Sequence, residues 1–318
     1  MHSTDTSTAI DRWVETGIIS AEQATRIRAD VAAHKPRHTS LVSEALGYLG
    51  GIIVLVGLGL ALGFSWDRLD TAGRLGVAAA TTLALLAAGL PIPIARLGAT
   101  GTRLRGVLWA AGTIGAAATL GLYGDEVLNW DSSQVALLWS GGAFVVAALS
   151  WVFNRHTLQR LATIAFLLIA AFWATDVVTQ SLDVGSATQR FLPDLAVWVV
   201  GVVWLVLALL SVIRRADGVV LGALGTTIGG VMMLEFYWGP LFALGTVIAL
   251  VVAAVALREL AVLAIASVGT LIALPIAVNR YLPGEALWTA LAVVGAGLAL
   301  VATGVFTARR NREPSPVA

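Results

Sequence analysis

The chain has 318 residues, of which 58% are apolar, 33 are glycine and only 12% are charged. A soluble domain is about one quarter charged, and with a mean hydropathy of +0.86 this chain cannot cover its exterior with polar groups. Soluble enzymes, disordered tails and coiled coils are excluded, and the expected fold class is all-α, a polytopic integral membrane helical bundle. There is no cysteine, so disulfides, thiolate nucleophiles and Cys-ligated metals are excluded too. Lys35 is the only lysine among 20 basic residues, which suggests a bacterial chain from a GC-rich genome.

Residues 1–40 are polar and hold no apolar run long enough for a signal-peptide core, so no cleavage is expected. They read as a small helical hairpin. The first helix is expected over about Ser7 to Thr16, with Gly17 as its stop. Ser20-Ala21-Glu22-Gln23 is a capping box with Gln at the third helical position, and the second helix is expected to reach about Ala33. Ile10, Trp13, Val14, Ile18, Ile19, Ala24, Ile27 and Val31 supply an apolar face. So short a piece buries little by itself. The hairpin is therefore expected to dock on the inner face of the bundle, on a second copy or on a partner.

From Leu41 onward apolar runs dominate. A bilayer core of about 30 Å needs about 20 helical residues, and about ten transmembrane helices fit: 43–64, 74–94, 105–123, 134–153, 158–177, 193–213, 218–236, 240–257, 260–278 and 286–307. The run from Val219 to Leu257 would be roughly 58 Å as one helix, so it must break. Glu235-Phe236-Tyr237-Trp238-Gly239-Pro240 supplies the break, an aromatic belt followed by a helix stop. The run from Leu241 to Val278 can break only at Arg258-Glu259. The positive-inside rule supports the count. With the N-terminus in the cytoplasm, only Arg68, Arg74, Arg190 and Arg280 of the 20 basic residues fall outside. The expected domains are a cytoplasmic hairpin (1–40), a ten-helix membrane domain (41–308) and a cytoplasmic basic tail (309–318). Both termini are then cytoplasmic, and the membrane is the bacterial plasma membrane.

Several residues form a familiar set. Trp13, Gly17-Ile18-Ile19-Ser20 and Gln23-Ala24 precede a basic stretch. Leu46-Gly47-Tyr48-Leu49-Gly50-Gly51 opens the first span and Ser65-Trp66-Asp67-Arg68-Leu69 closes it. Leu122-Tyr123-Gly124-Asp125 and Leu137-Leu138-Trp139 follow. Over about residues 8–150 the chain resembles a prokaryotic membrane family known as domain of unknown function 2157. Ser65 stands where such families usually carry Asn before Trp-Asp. The resemblance implies the membrane architecture. The family carries no agreed activity, so no catalytic residue is implied.

No catalytic constellation is found. His2, His34, His38 and His156 all fall in expected cytoplasmic segments, and no His-Glu-x-x-His or Gly-x-Ser-x-Gly frame occurs. No metal site or cofactor is expected. Gly47-x3-Gly51, Gly59-x3-Gly63 and Gly225-x3-Gly229 read as seams where helices approach closely, and Pro275 reads as a kink in the ninth span. No ionisable residue stands near an expected span centre, where transporters usually carry one.

The outward ends of the odd-numbered spans gather carboxylates and aromatics. Asp67, Asp125, Glu126, Asp176 and Glu235, with Trp66 and Tyr123, form a candidate outer rim for a cationic ligand. The plain alternative is topology, because acids and interfacial aromatics are ordinary on that side. Two functions are therefore expected. The first is non-enzymatic sensing, scaffolding or oligomerising through the hairpin, with Trp13, Gly17, Ile18, Ile19, Ser20 and Gln23 as its docking residues. The second is a transporter or lipid-handling protein using the acidic, aromatic rim. Expected partners are membrane lipids and a second copy or another membrane protein, with no nucleic acid.

Overall fold

The computed structural model describes residues 3–33, 66–92, 94–182 and 184–282, with a few single residues outside these stretches. Every regular element among the described residues is helical. The expected first and tenth spans, apart from those single residues, and the whole basic tail lie outside the described residues, as do Gly47, Gly51 and Gly59. The chain divides into two compact units, Met1–Leu69 and Asp70–Ala318.

In the first unit the hairpin forms from α1 (Ser3–Glu15) and α2 (Ala21–Ala33). Gly17 makes the turn at φ +70°, a left-handed conformation that glycine adopts without a Cβ clash. The capping box closes in both directions. The Ser20 N–H donates to Gln23 Oε1 at 2.8 Å, and the Gln23 N–H donates to Ser20 Oγ at 3.2 Å. Ile10 and Ala24 are buried, and Arg28 pairs with Asp11 across the hairpin. Trp13 and Ile18 remain exposed.

The second unit contains α3 (Thr71–Ala88), α4 (Ile94–Glu126), α5 (Ser132–Phe153) and α6 (Thr157–Ser181). It continues with α7 (Ser186–Leu209), α8 (Arg215–Met232), α9 (Gly239–Leu257) and α10 (Leu260–Tyr281). All 8 are long and apolar enough to cross a membrane. Short connections make neighbours antiparallel, and each helix from α3 to α9 packs on the next. The helix α8 is enclosed, touching α6, α7, α9 and α10.

Both disputed breaks are present. A 3-10 turn at Met233–Glu235 ends α8, and α9 restarts at Gly239 with Pro240 in its first turn. A Cβ on Gly239 would lie 1.7 Å from the Met233 carbonyl oxygen. The turn between α9 and α10 is only Arg258-Glu259, with Arg258 at φ +58°. Two helices start earlier than their apolar runs suggest. Helix α4 begins at Ile94 rather than near 105, directly after Pro93 in the sequence, and Arg105 keeps its guanidinium over the Trp109 ring, 5.4 Å from the centroid. Helix α7 begins at Ser186, with Pro193 inside it rather than at its start.

The glycine seam forms where expected. A Cβ on Gly229 would stand 2.4 Å from the Trp198 backbone nitrogen, and one on Gly201 2.2 Å from that of Thr226. Gly225 faces Gly201, so α7 and α8 meet backbone to backbone. The largest core cluster joins α7 to α10 through Ala208, Val219, Ala223, Val247, Leu250, Ala254, Val262, Leu263 and Ala266.

Alternating helices give the bundle two unlike ends. One end carries Asp125, Glu126, Asp131, Asp176, Asp194 and Glu235. The other carries Arg103, Arg105, Arg155, Arg160, Arg214, Arg215 and Arg258. They are called here the acidic end and the arginine end.

Candidate functional site

Helix α6 presents Ile164, Leu168, Phe172 and Asp176 at four-residue spacing, which places them on one face. The apolar members line a groove of about 410 Å³ against Val197 of α7 and Leu221, Gly225, Ile228 and Met232 of α8. Asp176 lines a cavity of about 580 Å³ at the acidic end, together with Gln189, Arg190, Asp194 and Glu235. Phe172 and Met232 line both, so the polar cavity and the apolar groove adjoin.

Helix α6 turns its C-terminal half toward the cavity with Asp176 half-buried. Gln180, one turn on, donates through Nε2 to Asp176 Oδ2 at 2.6 Å and so fixes that carboxylate. Asp194 comes from the third turn of α7 and Glu235 from the 3-10 turn after α8. Arg190 offsets one of these three carboxylate charges. Beside the cavity, Phe191 meets Phe236 at 5.8 Å and Trp238 at 5.4 Å, both edge to face, and Phe236 stacks on Trp238. Arg280 donates through Nη1 to the Phe236 carbonyl at 2.5 Å, and the Tyr281 hydroxyl to that of Tyr237 at 2.6 Å. These bonds tie the end of α10 to the α8–α9 turn.

The structure divides the expected rim. It brings Asp176 and Glu235 together on one cavity. Glu126 is instead engaged by Arg74 of α3, Nη1 to Oε1 at 2.8 Å. Asp125 and Tyr123 are exposed on the last turns of α4, away from the cavity lining. Trp66 and Asp67 lie in a 3-10 turn, Trp66–Arg68, of the first unit. In the hairpin, Gly17, Ser20 and Gln23 make the turn and cap, while Trp13 and Ile18 are exposed and Ile19 is half-buried.

Asp194 was not among the expected rim residues. Taking Pro193 as a helix start puts Asp194 at the mouth of a span, whereas the helix begins two turns earlier. Ser186, Arg190 and Asp194 recur every four residues, and that period was the available signal. Among the described residues, no three His, Asp or Glu side chains stand close enough together to hold a metal ion. The cavity, at about 580 Å³, has room for a group larger than a bare metal ion. Carboxylates in a partly enclosed cleft concentrate a positive field-seeking group there, and the adjoining groove accepts apolar matter.

No curated protein and no solved structure matches the chain. Residues 11–153, from within α1 to the end of α5, match the model of a family described as Predicted membrane protein (DUF2157). The acidic cavity and its groove are built by later helices. Over that matched stretch, the chain is similar to a family of predicted membrane proteins of unknown function.

Proposed function

We propose that this membrane protein binds and handles an amphipathic molecule with a cationic head, without catalysing a reaction on it. The head group would sit among Asp176, Asp194 and Glu235, and the apolar part along the groove of α6 and α8. The observation that carries this reading is the junction itself: Phe172 and Met232 line both the carboxylate cavity and the apolar groove. A cation alone needs no groove, and a lipid tail alone needs no carboxylates. The charge asymmetry of the two ends supports a plasma-membrane orientation with the acidic end outward and both termini cytoplasmic.

The test uses the full chain in dodecyl maltoside micelles, which carry no ammonium group, with thermal stability as the readout. Decyltrimethylammonium is expected to stabilise the protein more than tetramethylammonium does. The Asp176→Asn, Glu235→Gln double variant is expected to lose that difference. Equal stabilisation of variant and parent by both cations would sink the proposal.

The hairpin favours a second role, association with a copy of this chain or with another membrane protein. Among the hairpin side chains described, only Ile10 and Ala24 are buried, while Trp13 and Ile18 are exposed. Deleting residues 1–33 is expected to abolish self- or partner-association, measured by crosslinking in native membranes, and to leave the melting of the bundle unchanged. Unaltered crosslinking in the truncated protein counts against this role.

A further inference from the structure

The arginine end contains a cavity of its own, about 470 Å³, between the α5–α6 turn and the α7–α8 turn. Trp151, Arg155, Arg160, Ile213 and Arg214 are among its lining residues, and no carboxylate is. Arg155 and Arg214 are exposed and stand one in each turn. Arg160, in the first turn of α6, is 3% exposed.

The bonding of Arg160 is incomplete. One nitrogen, Nη2, pairs with Asp217 of α8 and reaches Thr157 Oγ1 at 3.5 Å. Its Nε and Nη1 are buried and have no acceptor among the described residues. A buried donor without a partner is costly and rare in a native fold. Asp217 balances only one of the three guanidinium charges. The site thus combines surplus positive charge, a cavity and, on Arg160, donors without a protein acceptor.

We propose that this cavity binds a phosphate-bearing anion, held by Arg155, Arg160 and Arg214. The planar guanidinium fork matches phosphate oxygens in a bidentate manner that a lysine does not reproduce. Trp151 and Ile213, which line the cavity, also pack against the apolar cluster of Ile164, Leu168 and Trp204. That wall suits the glycerol and acyl portion of a phospholipid, with the phosphodiester among the arginines. Free phosphate shares the head-group chemistry without the apolar portion. This site stands apart from the acidic cavity, and neither reading depends on the other.

The experiment uses the full chain in dodecyl maltoside micelles, which carry no phosphate, with phosphatidylglycerol or inorganic phosphate added separately. Thermal stability and the lipid retained in native mass spectrometry are the readouts. The test protein is the Arg155→Gln, Arg214→Gln double variant, and Arg258→Gln is the control, a charge removed at the same end but outside the cavity. The parent and the control are expected to be stabilised, and the double variant to lose about tenfold or more in apparent affinity, the effect of removing charge-assisted hydrogen bonds. Stabilisation by phosphatidylglycerol alone identifies a lipid head group, and stabilisation by inorganic phosphate as well identifies a site open to the soluble anion. If the double variant does not fold, each single variant is expected to show a partial loss. Absence of any response in the parent, or an equal loss in Arg258→Gln, overturns the proposal.

Discussion

Helices α3 and α8 are nearly indistinguishable by hydropathy and opposite in placement. Their membrane-spanning windows average 1.4 and 1.5, yet 6% of the first and 67% of the second is buried inside the protein. The difference lies in where glycines meet a neighbouring helix, not in small residues as such. On α8, Gly222, Gly225 and Gly229 each stand where a Cβ would meet α7, at 2.6, 3.1 and 2.4 Å. On α3, Gly76 has nothing within 4 Å among the described residues. In lipid, apolarity carries no preference for a protein neighbour, because the tails are as apolar as leucine. Close backbone approach does carry one, through dispersion contacts that lipid cannot match.

The most damaging way to break this contrast is a methyl group in the seam. Gly201→Ala and Gly229→Ala are each expected to cost about 3 kcal/mol or more, since the colliding atoms are backbone and cannot turn aside. Thermal unfolding in detergent, followed by size-exclusion chromatography, gives the measurement. Next comes the ion pair by which enclosed α8 keeps its only carboxylate, Asp217, next to α6. Arg160→Met is expected to cost about 3 kcal/mol by leaving Asp217 without its partner. Arg160→Met combined with Asp217→Leu is expected to recover much of that loss, and failure to recover would show that the pair matters for something other than charge balance.

Two smaller changes sharpen the contrast from the α3 side. Asp70 caps α3, its Oδ1 accepting from the Gly73 N–H at 2.9 Å. Asp70→Ala is expected to cost about 1 kcal/mol, visible as a modest fall in melting temperature. Gly76→Ala is expected to be slightly stabilising, by about 0.5 kcal/mol, through the lower backbone entropy of alanine. The same substitution thus has opposite signs on the two helices. A loss at Gly76 as large as that at Gly229 would mean that α3 is covered by a neighbour in the native assembly.

The sequence made the membrane class legible because composition reports on the solvent. It also made the turns legible. Glu235 to Pro240 and Arg258-Glu259 were readable because a polar pair between two long apolar runs has nowhere else to go. The Ser20–Gln23 cap was readable because it is local. The site was legible only in part. Asp176 and Glu235 stand in different helices, and nothing in their spacing says that α6 and α8 would meet. Pro193 concealed Asp194, since proline inside a membrane helix is better tolerated than in a soluble one. Arg160 and Asp217 each lie within a turn of a helix start, where a charge is ordinary in a membrane protein. Their pairing follows from the packing of α6 against α8, which hydropathy does not encode.

The two-residue turn at Arg258-Glu259 bears on how the protein reaches its membrane. Arg258 holds a left-handed conformation at φ +58°, which costs a residue with a Cβ about 1–2 kcal/mol. Glycine would relieve that strain and remove the charge. With so little chain between them, α9 and α10 cannot settle into the bilayer as separate events. They form one hairpin, and in the orientation proposed above Arg258 is the cation at its tip that favours the cytoplasmic side.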